Sequence, residues 1–179
     1  MHGQGYRHES ARRDVAAGQA LAEFALVLPV LMLILLSIIQ LGFMLGAQIG
    51  LINAIRETAR FGSLSPTTEN SASANGAAVN GYLESSSLPQ NVPGYSSANL
   101  GTHGVSYCQY QNPGASSYSV RLIVEARYRH PLFVPLVGII LDGFDGTMDG
   151  NLAVSTREQF RVENMPLNLS EVDALAACP

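Results

Sequence analysis

The chain of 179 residues is long enough for one domain of ordinary size and too short for a large multidomain enzyme. Hydrophobic residues make up 47% of the chain and charged residues only 13%, and the apolar residues concentrate in one early block, which favours a membrane segment. The formal net charge of −4, with arginine as the only basic residue, excludes the basic surface typical of nucleic-acid-binding proteins.

The first predicted element is a long apolar helix. No charged residue lies between Glu23 and Arg56, and residues 24–47 are apolar apart from Ser37 and Gln40. At about 1.5 Å per residue this helix extends roughly 36 Å, enough to cross a hydrocarbon core of about 30 Å. The block is too long for a cleavable secretory signal, so we expect the helix to remain in the mature protein.

The basic residues around this helix are balanced, because Arg12 and Arg13 precede it and Arg56 and Arg60 follow it. The positive-inside rule therefore does not set the orientation. The downstream region has few charges and many Ser, Asn, Gly and Tyr residues, which is typical of secreted domains. We therefore expect a single-pass protein of the cytoplasmic membrane, with its N-terminus in the cytoplasm and its C-terminal domain outside.

Two residues near the start of the helix allow two interpretations. An ionised carboxylate at Glu23 costs a few kcal/mol in the bilayer unless it has a partner, and Pro29 removes a backbone donor. Either Glu23 pairs with a specific group and Pro29 loosens the helix, or Glu23 lies among the headgroups and Pro29 begins the regular helix. Further along, small residues recur every four positions and predict close packing of another helix, namely Gly42, Gly46, Gly50 and Ala54.

The junction at residues 18–24, a glycine followed five places later by glutamate before a long apolar helix, resembles the processing site of type IV prepilins. The resemblance implies that a membrane aspartyl peptidase cuts after Gly18 and makes Gln19 the N-terminus. It also implies that Glu23 assists assembly by neutralising the new ammonium group of a neighbouring subunit. Gln19 differs from the methylated aromatic residue typical of other type IV pilins.

Residues 18–29, which include Phe24 and Pro29, resemble the opening of the TadE-like proteins of the tight-adherence pilus system, and residues 53–62 resemble the segment that follows. The resemblance implies a minor pilin or pseudopilin whose partners are other pilin subunits, a prepilin peptidase and the pilus assembly platform. It implies a leader at residues 1–18, an assembly helix at residues 19–62 and an extracytoplasmic domain at residues 63–179. It implies neither a nucleic-acid partner nor a small-molecule substrate.

The C-terminal region predicts a small α+β domain. Apolar positions continue the long helix to Phe61, residues 63–66 end it, and a weaker helix follows at residues 69–84. Residues 88–104 are rich in Pro, Gly, Ser and Asn and predict a loop. Three segments predict an antiparallel sheet of about three strands: residues 105–111, residues 118–128 with their period of two, and residues 152–162. A turn-like segment at residues 112–116 could join the first two as a hairpin.

The apolar residues 131–141 are too few to span a bilayer as a helix, and they predict core, a subunit interface or a membrane-surface contact. Cys108 and Cys178 are too far apart in sequence for a CxxC motif, and they are either a disulfide or two unrelated thiols.

The sequence predicts no enzymatic activity, no cofactor and no metal. Four residues in a predicted glycine-rich loop do not follow a calcium-binding spacing and favour a solvated turn, namely Asp142, Asp145, Asp149 and Asn151. His103 and His130 have no recognisable nucleophile or metal motif around them. The alternative function is a permanently anchored, adhesin-like binding module, which would keep its leader.

Overall fold

The longest element is the helix α1 (Gly5–Leu64), whose 60 residues include Pro29. The computed structural model describes residues 5–64, 71–111, 114, 118–146, 149–162 and 172–179. The end of α1 coincides with the predicted break at residues 63–66. It is followed by α2 (Ala72–Tyr82), a π-helical turn (Leu83–Ser87) and the short α3 (Leu88–Asn91).

The second half of the chain forms a three-stranded antiparallel sheet in the order β1 (Leu100–Gln111), β2 (Tyr118–Pro131) and β3 (Asn151–Arg161). The helix α4 (Pro135–Asp145) connects β2 to β3 and ends at Gly146, whose positive φ of 77° suits a glycine C-cap. The predicted α+β class, with a long apolar N-terminal helix and three antiparallel strands, is confirmed.

The core lies between α1 and one face of the sheet. Alternate side chains of β2 face inward, and they are buried against α1, α2 and the segment after it. Leu122, Val124 and Tyr128 have no exposed surface, and neither have Leu51 and Ile55 of α1. The C-terminal part of α1, its upper part, is therefore a core element of the domain as well as the continuation of the apolar segment.

Two stretches differ from the sequence prediction. Residues 88–104 were expected to be a loop, but they contain α3 and the first part of β1. Leu88 and Val92 are buried in the core, so their packing stabilises a helical turn in spite of the neighbouring Pro and Gly. Leu100 pairs with Tyr128, and an irregularity in register before His103 accommodates the glycine-rich start of the strand.

The predicted acidic loop is also different, because Asp142 lies inside α4 rather than in a turn. The Asp142 carboxylate is buried, and its Oδ2 accepts a 2.9 Å hydrogen bond from the Gly150 amide. The proposed hairpin turn at residues 112–116 lies outside the described residues except for Gly114, as does Glu69 of the predicted second helix.

Candidate functional site

The N-terminal part of α1, its lower part, carries the residues of the predicted processing junction. Gly18 lies within the helix, and Gln19 and Glu23 are exposed one turn apart. Gln19 Nε2 donates a 3.1 Å hydrogen bond to Glu23 Oε1. Phe24 and Pro29 are exposed as well. None of these four exposed side chains is covered by the chain's own domain, so all of them are available to an environment outside the chain.

The exposed surface of α1 from Leu21 to Ile49 is almost entirely apolar. By length and composition, α1 is the one helix among the described residues that is long and apolar enough to cross a membrane. The most apolar 18-residue stretch of this helix has a mean hydropathy of 2.7 and is almost unburied inside the chain. Such a surface is stable only against lipid or other apolar helices, because a patch of this size is not left in contact with water.

The upper part of α1 begins at Gln40, which is only 1% exposed. From this residue onward one side of the helix is buried in the domain, with Ala47, Ala54 and Ala59 supplying small contacts. At Gln40 the side-chain Oε1 accepts a 2.9 Å hydrogen bond from the backbone amide of Phe133. The rings of Phe133 and Phe43 pack edge to face with centroids 6.3 Å apart. Gln40 therefore marks the level at which α1 enters its domain.

The stripe of small residues is divided by this boundary. Gly42 faces open space, and Gly46 is only in loose contact with Pro93. At Gly50, by contrast, a Cβ atom would lie 2.3 Å from the carbonyl oxygen of Asn91. Ala54 is fully buried, and its carbonyl accepts a 2.8 Å hydrogen bond from Ser87 Oγ. The close approach at the upper half of the stripe is thus made within the chain, by α3 at Gly50 and by the π-helical turn at Ala54.

Glu57 joins α1 to the segment after α2. Its carboxylate accepts hydrogen bonds from Asn91 Nδ2 at 2.7 Å, from the Tyr82 hydroxyl at 2.9 Å and from Ser87 Oγ at 3.4 Å. The bonds from Asn91 and Tyr82 hold the pKa of Glu57 below its ordinary value of 4.5. Tyr82 also stacks on Phe61 with ring centroids 4.1 Å apart. Periodicity gave no signal for this junction, although Glu57 lies in the segment that resembles the TadE-like proteins.

The chain end is attached to the sheet by a disulfide. Cys108 of β1 and Cys178 are bonded, with Cα atoms 5.0 Å apart. Gln109 exchanges 2.8 Å backbone hydrogen bonds with Ala176 and Cys178 on the same side of β1. Closing a loop of 70 residues stabilises the folded state by roughly 4 kcal/mol in the chain-entropy account. Of the two alternatives for the cysteines, a disulfide or two unrelated thiols, the structure contains the disulfide.

The two histidines are in contrasting surroundings. His103 Nε2 lies 2.8 Å from Glu84 Oε1, and its Nδ1 lies 2.9 Å from the Gly101 carbonyl. His130 is buried, its ring packs edge to face on Phe133, and neither ring nitrogen has a hydrogen-bond partner among the described residues. Within the described parts of the chain, no three His, Cys, Asp or Glu side chains are grouped so that they could hold a metal ion.

The comparisons with known proteins concern the lower and middle parts of α1. A family model described as "TadE-like protein" matches residues 18–60, about a quarter of the chain. Searches of curated proteins and of solved structures gave no match. The matched range begins at Gly18 and runs through Glu23, Gln40 and Glu57. Over residues 18–60 the chain is TadE-like, consistent with a TadE-like protein of the tight-adherence pilus system.

Proposed function

We propose that the chain is a minor pilin or pseudopilin of a tight-adherence pilus, processed after Gly18 and assembled through the exposed lower part of α1. The observation that carries this proposal is the position of the family match. It begins at Gly18, has Glu23 five residues later, and continues along a helix whose side chains from Gln19 to Ile39 are not buried.

The division of α1 at Gln40 supports the proposal in physical terms. The part of α1 before Gln40 is inserted in the membrane and carries the assembly surface, and the part that follows emerges from the bilayer and carries the extracytoplasmic domain. The position of the domain along α1 is fixed, because the Phe133 amide is bonded to Gln40 and Asn91 is packed against Gly50. A subunit of this kind presents its lower helix to the membrane before assembly and to other pilin helices after it.

Glu23 is the residue with the most specific role in this proposal. Cleavage after Gly18 would create an ammonium group on Gln19, one turn from Glu23 on the same exposed surface. Both charges are costly in a low-dielectric environment unless each has a partner. Pairing of the Gln19 ammonium of one subunit with Glu23 of the next would satisfy both and set the relative height of the two helices.

The disulfide between Cys108 and Cys178 supports an oxidising location for the domain, because such bonds persist outside the cytoplasm. With one membrane crossing, this location orients the N-terminus toward the cytoplasm, where the leader would be accessible to a prepilin peptidase. The partners are then other pilin subunits, the peptidase and the assembly platform.

The test is pilus formation in a strain that lacks this chain and receives it back as wild type, Glu23→Ala or Asp173→Asn. Asp173 is an exposed acid near the chain end and serves as the matched loss of a carboxylate. We expect wild type and Asp173→Asn to restore pili and Glu23→Ala to fail, with equal amounts of all three in the membrane. Restoration by Glu23→Ala would refute the assembly role, and pili in the strain without the chain would refute the proposed function.

A further inference from the structure

A second apolar surface lies on the domain itself, on α4 and the residues before it. Phe133, Ile139 and Ile140 are 64%, 61% and 63% exposed. No charged residue occurs between His130 and Asp142. The opposite side of α4 is buried through Val137 and Gly138, and Asp142 directs its carboxylate to the Gly150 amide. Among the side chains of α4 that the structure describes, the large exposed ones are thus apolar, and the buried Asp142 bonds within the domain.

The sheet runs alongside α1 in a known direction. The end of β2 lies at the lower level of α1, since Phe133 is bonded to Gln40. The other end lies at the upper level, where Phe160 and Arg161 line a shared cavity with Arg60. α4 follows β2 and precedes β3, so it lies at the lower end of the sheet. Because the buried Asp142 of α4 is bonded to Gly150 just before β3, the buried side of α4 faces the sheet end and its exposed side is directed away from it.

The level of this lower end follows from the length of the apolar segment. A hydrocarbon core of about 30 Å corresponds to about 20 helical residues at 1.5 Å each. Counted from Phe24, that length ends near Phe43, the residue on which the Phe133 ring packs. Phe133 and the start of α4 are therefore held at the outer boundary of the hydrocarbon core.

We propose that Phe133, Ile139 and Ile140 contact the outer leaflet of the same bilayer, so that α4 is an interfacial helix beside the membrane-spanning part of α1. This inference rests on the proposed membrane anchor. The occupant is lipid because the surface is continuous with the exposed apolar face of α1 through the contact between Phe133 and Phe43, and because it lies at the level where lipid headgroups begin. Contact at two places restricts the tilt of the domain on its anchor before assembly.

The sequence contains no tryptophan, so single substitutions give an unambiguous fluorescence probe. The full chain is placed in phosphatidylcholine vesicles whose acyl chains are brominated near the headgroup or near the middle. The test variants are Ile140→Trp and Phe133→Trp, the second being a mild aromatic exchange at an exposed position. Leu31→Trp reports the membrane-spanning segment. Tyr118→Trp, at the far end of β2, is the matched control in the domain.

We expect Ile140→Trp and Phe133→Trp to lose emission at least about twofold with shallow bromine, because an interfacial helix lies only about 5–10 Å into the boundary. Leu31→Trp should respond most to deep bromine and Tyr118→Trp to neither. Quenching of Leu31→Trp without quenching at positions 133 and 140 would overturn the inference and leave the anchor intact.

Two further outcomes would also overturn it. Lack of quenching at Leu31→Trp would refute the anchor, and the inference with it. Probes at positions 133 and 140 that are unaffected by brominated lipid but protected from iodide only at high protein density would assign the surface to a second copy of the chain.

Discussion

The backbone amide of Phe133 donates a 2.9 Å hydrogen bond to the side-chain oxygen of Gln40, a glutamine that is almost completely buried on a helix otherwise surrounded by apolar residues. This bond connects the end of the sheet to one level of α1. Between Gln19 and Ile39 no side chain of the helix is buried, whereas one face of the helix beyond Gln40 lies in the core. The position of a single polar side chain thus separates the exposed apolar part of α1 from the domain-bearing part.

Replacing Gln40 by leucine removes the acceptor of the Phe133 amide, and a hydrogen bond of this kind contributes about 0.5–1.5 kcal/mol to stability. We expect the Phe133 amide to exchange with deuterium much faster in Gln40→Leu, measured on the full chain in lipid nanodiscs. Ser37→Ala is the control, because the Ser37 hydroxyl donates its hydrogen bond to the Leu33 carbonyl of its own helix. Unchanged protection of the Phe133 amide from exchange in Gln40→Leu would contradict the conclusion that its bond to Gln40 fixes the domain at this level.

The two ends of the small-residue stripe are expected to behave differently. Gly50→Ala places a Cβ against the Asn91 carbonyl and should destabilise the domain by about 1–3 kcal/mol through overpacking. Gly42→Ala meets open space and should leave stability unchanged or slightly raised, because alanine is the better helix former. Urea unfolding followed by tyrosine fluorescence separates the two. Equal stability of the two variants would show that the approach of α3 to Gly50 is not close.

Glu57 predicts an acid-sensitive junction. The folded-state pKa of Glu57 is lowered, by the Asn91 and Tyr82 hydrogen bonds above all. The carboxylate therefore stabilises the fold when the pH is above 4.5, its ordinary pKa. This contribution is lost as the pH falls through the lower pKa of the folded state. Glu57→Gln should lower stability at pH 7 and show a smaller further loss on acidification than wild type.

The control for Glu57 is Glu125→Gln, which removes an exposed carboxylate whose nearest cation, Arg157, is 3.8 Å away. This variant should match wild type in its unfolding midpoint at pH 7. The prediction is wrong if Glu57→Gln and Glu125→Gln have the same profile of stability against pH.

The two histidines predict opposite pH dependence. Burial lowers the pKa of His130, so below the ordinary value of 6.5 the unfolded chain takes up a proton that the folded chain does not, and stability falls with the pH. For His103, burial lowers the pKa, but hydrogen bonds to Gly101 and Glu84 outweigh it and the pKa is raised. The stability contributed by His103 is therefore present below 6.5 and is lost as the pH rises through the folded pKa.

His130→Leu should accordingly gain stability relative to wild type as the pH is lowered from 7.5 to 5, because it removes a buried group without partners. His103→Gln should lose stability relative to wild type over the same interval. Urea midpoints of the three proteins at both pH values test this pair of predictions. Parallel shifts in both variants would contradict the opposite signs.

The elements with local sequence signals could be predicted. The apolar run of α1 and the alternation in β2 are properties of neighbouring residues, and the three strands lie close to the expected segments. The wrong prediction at residues 88–104 has the opposite cause. Its glycines and prolines signal a loop, but Leu88 and Val92 are fixed by contacts in a core that α1 completes from far away in sequence.

The candidate site was predictable at its lower end and not at its upper end. Gly18 and Glu23 are recognisable from spacing and resemblance, since both lie within a few residues of each other. The interactions of Gln40 with Phe133 and of Glu57 with Asn91 join residues 93 and 34 positions apart. The same holds for Gly50, where a spacing of four indicates close packing but not which partner approaches.

The most direct test of the central claim is the mature N-terminus. The full chain, with a C-terminal tag, is expressed with its prepilin peptidase as wild type, Gly18→Leu and Gly5→Ala, the last being a matched glycine change in the leader. Intact mass and N-terminal peptide sequencing should give a start at Gln19 for wild type and Gly5→Ala, and an uncut chain for Gly18→Leu. An intact leader in wild type, or a start beyond the apolar helix, would contradict the pilin account and favour an anchored or secreted binding domain.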